Sequence, residues 1–178
     1  ICASANIEQL DPAADGMDSV RERRDGVHLE AVMSNSVGFG GANATLVGRV
    51  LKAHRDRIVL ASKGGMAGVA FDDGIKRVID GSPQAILRNC EASLERLGTE
   101  VIDLYYLHRW DKRVPIEDSV GALADLVAEG KVRTIGLSEV SAATLRKAQA
   151  VHPITALQNE YSLWTRNPEV ASLEACRE

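Results

Sequence analysis

An α/β fold built on a parallel sheet is the class that this sequence predicts, and three observations carry it. From residue 57 onward, short β-branched or apolar runs alternate with longer segments of helical periodicity. The connections between them are only a few residues long, as in βαβ units. Four of the runs also end, with matching side-chain parity, on a residue that can hydrogen-bond or carry charge.

The first run is "RIVLAS" (57–62). The helix expected next is "SPQAILRNCEASLERLG" (82–98), with Ser82 as N-cap, Pro83 at the first helical position and Gly98 as the left-handed stop. Ile86, Leu87, Cys90, Leu94 and Leu97 give it one apolar face. "VIDLYYLH" (101–108) reads as the second strand. A helix over 119–131 follows, with Val120, Leu123, Leu126 and Val127 on its apolar side and Gly130 near its end. "VRTIGLS" (132–138) is the third strand, "SAATLRKAQAVH" (141–152) a helix, and "ITALQ" (154–158) the fourth strand. A last helix begins in "EVASLEACRE" (169–178).

Side chains alternate between the faces of a strand, so the parity can be followed. One face carries Val59, Ala61 and Lys63, then Leu104, Tyr106 and His108. It continues with Thr134, Gly136 and Ser138, and with Ile154, Ala156 and Gln158. An apolar or small stack that finishes in a polar group at every carboxyl end is the pattern of a catalytic or cofactor face. Taken singly, a lysine at a strand end is an ordinary solvated terminus, and a histidine after an apolar strand is an ordinary structural residue.

The totals bound the rest. The 178 residues make about one domain. With 25 acidic against 21 basic residues the formal charge is −4, which invites neither nucleic acid nor a membrane surface. No apolar run approaches the ~18 residues that span a bilayer. Cys2, Cys90 and Cys176 form no CxxC pair, so neither a disulfide framework nor a metal site is indicated, and a cytoplasmic setting is expected.

Several motifs in order, "RIVLASKGG", "VIDLYYLHRWD", "GKVRTIGLSEVSAATLRKA" and "AVHPITALQNEYSLWTR", resemble the aldo-keto reductases over roughly residues 46–178. The resemblance implies part of an eight-stranded (β/α) TIM barrel, about four strands here, and hydride transfer from NADPH to a small aldehyde or ketone. It also implies roles. Lys63 matches the lysine that tunes the family's tyrosine acid, and His108 matches the histidine that orients the carbonyl. Ser138 and Gln158 match positions that hold the nicotinamide carboxamide. Glu139 stands beside them where many members carry asparagine. His28, His54 and His152 are read as structural, and Tyr105, Tyr106 and Tyr161 as packing residues. Trp110 and Trp164 either wall a pocket or cover the rim.

Upstream of Lys63 the family's "DTA…YG" region, with its aspartate and tyrosine, has no counterpart. Residues 1–47 instead resemble the carboxyl-terminal end of type I β-ketoacyl-acyl-carrier-protein synthases, through "ICASANIEQLDP" (1–12) and "AVMSNSVGFGGANATLV" (31–47). That implies a β-hairpin segment from a thiolase-like fold, ahead of a partial barrel over 48–178. The synthase nucleophile motif is absent, and Cys2 has no histidine near it in sequence to replace it. "NATLVGR" (43–49) suits both patterns and places the join. The expectations are a reductase lineage with impaired turnover, with a synthase acyl-transferase remnant or an inert fragment as alternatives. Open sheet edges would favour self-association.

Overall fold

The computed structural model describes residues 52–72 and 74–178. The glycine-rich hairpin expected within residues 1–47, and with it Cys2 and His28, lies outside the described residues. A short 3-10 stretch, Lys52–Arg57, leads into strand β1, Ala61–Gly64. An antiparallel hairpin follows, β2 (Met66–Phe71) and β3 (Gly74–Ile79). Helix α1 (Pro83–Leu97), strand β4 (Ile102–Leu107), helix α2 (Ile116–Ala128), strand β5 (Val132–Ser138), helix α3 (Ala142–Val151) and strand β6 (Ala156–Gln158) complete the alternation. A 3-10 turn, Asn167–Glu169, and the four-residue helix α4 (Ser172–Ala175) come last.

Strands β1, β4, β5 and β6 form one parallel sheet in that order. Neighbours in space are thus consecutive parallel strands in the chain, with no reversal of direction across the sheet. Right-handed crossovers then put all the helices on one face, as in a segment of a (β/α) barrel. On that face the fully buried Tyr105, Leu107, Ile135 and Leu137 join one apolar cluster with Ile86 and Cys90 of α1, with Val120, Leu123 and Leu126 of α2, and with Ala148 of α3. Ser82 caps α1 by accepting from the Ala85 N–H at 3.3 Å, and Gly98 takes the left-handed φ of 63°. Ser141 caps α3 through Thr144.

Three expectations need correction. The strand read at 57–62 starts at Ala61, because the Leu60 N–H donates to the Asp103 carboxylate at 2.7 Å instead of to a neighbouring strand. Arg55 anchors the same corner, its guanidinium donating to Asp103 Oδ2 at 2.5 Å and to the Val101 carbonyl at 2.9 Å. The β2–β3 hairpin was not expected at all. Helix α2 starts three residues early, at Ile116 after Pro115, with Glu117 and Asp118 in the first turn where the helix dipole favours acid. The helix expected to begin within 169–178 is present as the short Ser172–Ala175, after the 3-10 turn. Among the described residues no helix is long and apolar enough to cross a membrane.

Candidate active site

The second face of the sheet carries the polar strand ends. Lys63 lies beside Tyr106 in register, Tyr106 beside Gly136, Gly136 beside Ala156 and Ser138 beside Gln158. The parity read from the sequence is therefore the parity of the fold. His108 follows the end of β4, and its backbone N–H donates to the Gly64 carbonyl at 2.8 Å, which fixes it next to β1.

Two close approaches set this surface. Tyr106, only 5% exposed, lays its ring against Gly136, where a Cβ would come within 2.6 Å of Cδ1 and Cε1. On the other face the Tyr105 hydroxyl sits under Gly64, 2.2 Å from the place a Cβ would take. Glycine is required at both positions because no side chain fits between strand and ring. Asn89 of α1 then holds the turn after Lys63 by accepting from the Gly65 N–H at 2.9 Å.

The electrostatics tie the strand ends together. Lys63 is half-buried, and burial first, then the Arg109 charge, lowers its pKa while Glu139 pulls it the other way. His108 is also half-buried, and burial followed by the charges of Lys63, Arg109 and Arg77 lowers its pKa. It is thus held as neutral imidazole near pH 7. The Arg109 charge thus reaches both Lys63 and His108, and the Glu139 charge reaches Lys63.

Ser138 is buried at 4% exposure at the end of β5, level with the half-buried Gln158 on β6. Glu139 has a left-handed φ of 55°, which costs a residue with a Cβ and which asparagine tolerates better. Its N–H donates to the Gln158 carbonyl at 2.9 Å, and its side chain accepts from the Glu160 N–H at 2.5 Å. The Glu139 carboxylate is therefore engaged with the backbone of the loop after β6.

The sequence has three tyrosines, all of them described. Among the described residues none has its hydroxyl hydrogen-bonded to Lys63. The Lys63 ammonium stands 5.8 Å from the centre of the Tyr106 ring, a contact with the aromatic system. Burial raises the pKa of the Tyr106 phenol. Tyr161 is exposed and donates to Glu169 at 2.7 Å. Trp110 is half-buried, packs on the core, donates its indole N–H to the Val114 carbonyl at 3.0 Å, and lines an open cavity with Val78, Ile79 and Arg113. Trp164 is 95% exposed. His152 ends α3 with its ring at the Pro153 carbonyl, and His54 is exposed in the 3-10 stretch.

Two residues join the site that the sequence reading passed over. Arg109 directly follows His108, and its Nη1 is buried without a hydrogen-bond partner among the described residues. Asn159 directly follows Gln158, and its Oδ1 is in the same condition. Adjacency to a motif residue at a strand end was the available signal for both.

Comparison with known proteins gives one consistent result. The model of the Aldo/keto reductase family matches residues 39–178, which overlaps residues 39–47 of the segment read as synthase-like. "Probable aldo-keto reductase 1" of Glycine max is 52% identical over 138 residues, covering 77% of this chain and 39% of that protein. The glycerol dehydrogenase AKR11B4 from Gluconobacter oxydans superposes with a TM-score of 0.72 at 30% identity, over 77% of this chain and 42% of that one. The aldo-keto reductase AKR11C1 from Bacillus halodurans, in its holo form, gives a TM-score of 0.65 at 32% identity, over 73% and 43%. An aldo/keto reductase from Klebsiella pneumoniae in complex with NADP and acetate gives 0.60 at 33% identity, over 77% and 45%. The chain thus spans less than half the length of each of these relatives.

Proposed function

Because the chain belongs to the aldo/keto reductase family, we propose that its strand-end site binds NADPH and acts on a small aldehyde or ketone. The carrying observation is the gathering of Lys63, His108, Ser138 and Gln158 on one face at the carboxyl ends of four parallel strands. The nicotinamide group suits the residues present. Its carboxamide offers donors and an acceptor, and the site offers the Ser138 hydroxyl, the Gln158 amide and the buried, unpartnered Oδ1 of Asn159. When bound, the dihydronicotinamide supplies hydride.

The chain's own residues do the rest. Neutral His108 donates a ring N–H to the carbonyl oxygen and orients it. The Lys63 ammonium places positive charge where the alkoxide develops. Ser138 and Gln158, side by side at the strand ends, would hold the carboxamide of the bound cofactor. Glu139 acts indirectly, by fixing the loop after β6 through its bond to the Glu160 N–H. The alkoxide still needs a proton, and no tyrosine hydroxyl is coupled to Lys63. We therefore infer turnover about 10²–10⁴ slower than with a positioned acid.

Following NADPH oxidation with benzaldehyde tests this reading. Slow turnover that falls further in Lys63→Met and in His108→Ala supports it. A rate unaffected by both substitutions, or no turnover at any enzyme concentration, overturns it. The stretch "NSVGFGGAN" (35–43) favours a second reading for residues 1–47, a synthase remnant joined to the reductase segment over 48–178. Labelling by an acyl-loaded carrier protein would support an acyl-transferase remnant, and no labelling would exclude it. Strands β1 and β6 are the outer strands of the described sheet, and we propose that they mediate self-association. Size exclusion over a hundredfold concentration range checks this, and a constant monomer would refute it. The cytoplasmic setting also stays a proposal, resting on the cysteine pattern.

A further inference from the structure

Asp111 follows His108 by three residues and takes no part in the proposed reaction, yet its side chain is buried and fully engaged. Oδ1 accepts from the Arg113 N–H at 3.0 Å and from Arg113 Nε at 2.9 Å. Oδ2 accepts from Arg113 Nη2 at 2.8 Å and from the Gly81 N–H at 3.4 Å. The same Nη2 donates to the Ile79 carbonyl at 2.8 Å, and the Ser119 hydroxyl of α2 donates to the Gly81 carbonyl at 2.7 Å. The loop after β4 is thereby bonded on both sides of Asp80, where β3 ends and α1 is about to begin. No slack is left there, since a Cβ on Gly81 would come within 2.9 Å of the Asp111 Cβ.

The same segments meet again beside the strand-end lysine. The Asp80 N–H donates to the Gly65 carbonyl at 3.2 Å, and the His108 N–H donates to the Gly64 carbonyl at 2.8 Å. With the Gly81–Asp111 bond these close a circuit through Gly64–Gly65, Asp80–Gly81 and His108–Asp111. Two of its three hydrogen bonds join backbone groups, and the third is made by the Asp111 carboxylate. Arg113 reinforces that third link with charge-assisted bonds.

With the strand-end site read as a carbonyl-reducing centre, we propose that Asp111 is a positioning residue for it. Clamped to Gly81 and, through Arg113, to Ile79, it holds the His108–Asp111 segment at both ends and so fixes His108 relative to Lys63. A misplacement of about 1 Å can cost roughly 10²-fold in rate without touching a group that meets the substrate. Loss of the clamp therefore lowers kcat and spares KM.

Three variants of the whole chain test this. Asp111→Asn removes the charge that Arg113 grips, and Gly81→Ala wedges the circuit open with no change of charge. Asp103→Ala disturbs the opposite end of β4 and serves as the comparison. Amide exchange by NMR and benzaldehyde reduction with NADPH are followed in each. The His108 N–H should exchange at least tenfold faster in Asp111→Asn and Gly81→Ala, and within threefold of the wild type in Asp103→Ala. The Ile102 N–H, bonded to the Lys131 carbonyl at 3.0 Å, should show the reverse pattern. In the first two variants kcat should fall at least tenfold with KM for benzaldehyde within threefold, and in Asp103→Ala both should stay within threefold. An unmoved His108 amide, equal quickening of His108 and Ile102 in Asp111→Asn, or a raised KM with kcat intact overturns the assignment. A wild type without turnover sinks the reductase reading, and the His108 amide then still decides whether Asp111 holds that segment.

Discussion

Replacing Gly136 by alanine tests whether the ring–glycine contact builds the site face. A Cβ at this position would come within 2.6 Å of two Tyr106 ring carbons and 2.9 Å of the Ala156 carbonyl oxygen. Carbon–carbon contact is comfortable near 3.5 Å, so the ring must retreat by about 0.9 Å from its 2.6 Å approach. Tyr106 is only 5% exposed and has little room to do so. The carbonyl belongs to β6, which pairs with β5 at this level, so retreat on that side weakens the ladder. Overpacking of a filled core costs typically 1–3 kcal/mol, and with ring and backbone both involved Gly136→Ala belongs near the top, about 3 kcal/mol. Tyr106→Ala alone should cost about 3–5 kcal/mol through the lost ring. The double variant removes two of the three close approaches and should be less destabilised than the sum by about 1–2 kcal/mol. Urea denaturation of the four proteins measures all three quantities. A loss below about 1 kcal/mol in Gly136→Ala, or strict additivity, would refute the contact as drawn.

Acid sensitivity should trace to Asp111, whose carboxyl is held well below the usual range, chiefly by hydrogen bonds from Arg113 and against the effect of burial. A depressed folded pKa stabilises above the unfolded value of about 3.9 and is lost as pH falls through the folded one. The melting temperature should therefore hold between about pH 7 and 5 and fall below about pH 4, with a shallower fall in Asp111→Asn, and an unchanged slope in the variant would refute this. Asp103 adds in the same sense: burial raises its pKa, but bonds from Arg55 and the Leu60 N–H with the Arg133 charge outweigh it. Asp103→Ala strands the Leu60 N–H and should cost about 2–4 kcal/mol in urea denaturation, where a loss under 1 would count against the corner. Lys63→Met should raise the His108 pKa, since the Lys63 charge is the largest depressing influence after burial. Proton NMR of the imidazole across pH 5–8 would follow it, and an unmoved titration would place Lys63 too far away.

The parallel sheet was legible because each strand alternates with a helix that carries its own punctuation. Ser82 and Ser141 start their helices and Gly98 ends one, by side-chain or backbone chemistry that depends on no distant partner. Strand parity put Lys63, Ser138 and Gln158 on one face for the same reason, because alternation is local. What escaped was set by contacts distant in sequence. The start of β1 is fixed by Asp103, 43 residues away from the Leu60 N–H it accepts. The β2–β3 hairpin did leave a trace in "FDDGI" (71–75), whose Asp-Gly is a turn signal, but two alanines and a glycine in "MAGVAF" hid the alternation. Arg109 and Asn159 were missed because the sequence shows their neighbours' motif roles, and only packing shows that their own polar atoms are buried without partners. The Tyr106 ring occupies the space over Gly136 in a way that parity implies only as a shared face.

In the proposed reaction Lys63 and His108 receive the developing alkoxide without a coupled phenol. Transfer of deuterium from reduced 4-deuterated NADP to benzaldehyde, followed by mass spectrometry of the alcohol over hours, tests it most directly. Label is expected in the product at a rate about 10²–10⁴ below that of a reductase with a positioned acid, and is expected to be lost in Lys63→Met and His108→Ala. Label that appears equally in those variants, never appears, or appears at the full rate would contradict it.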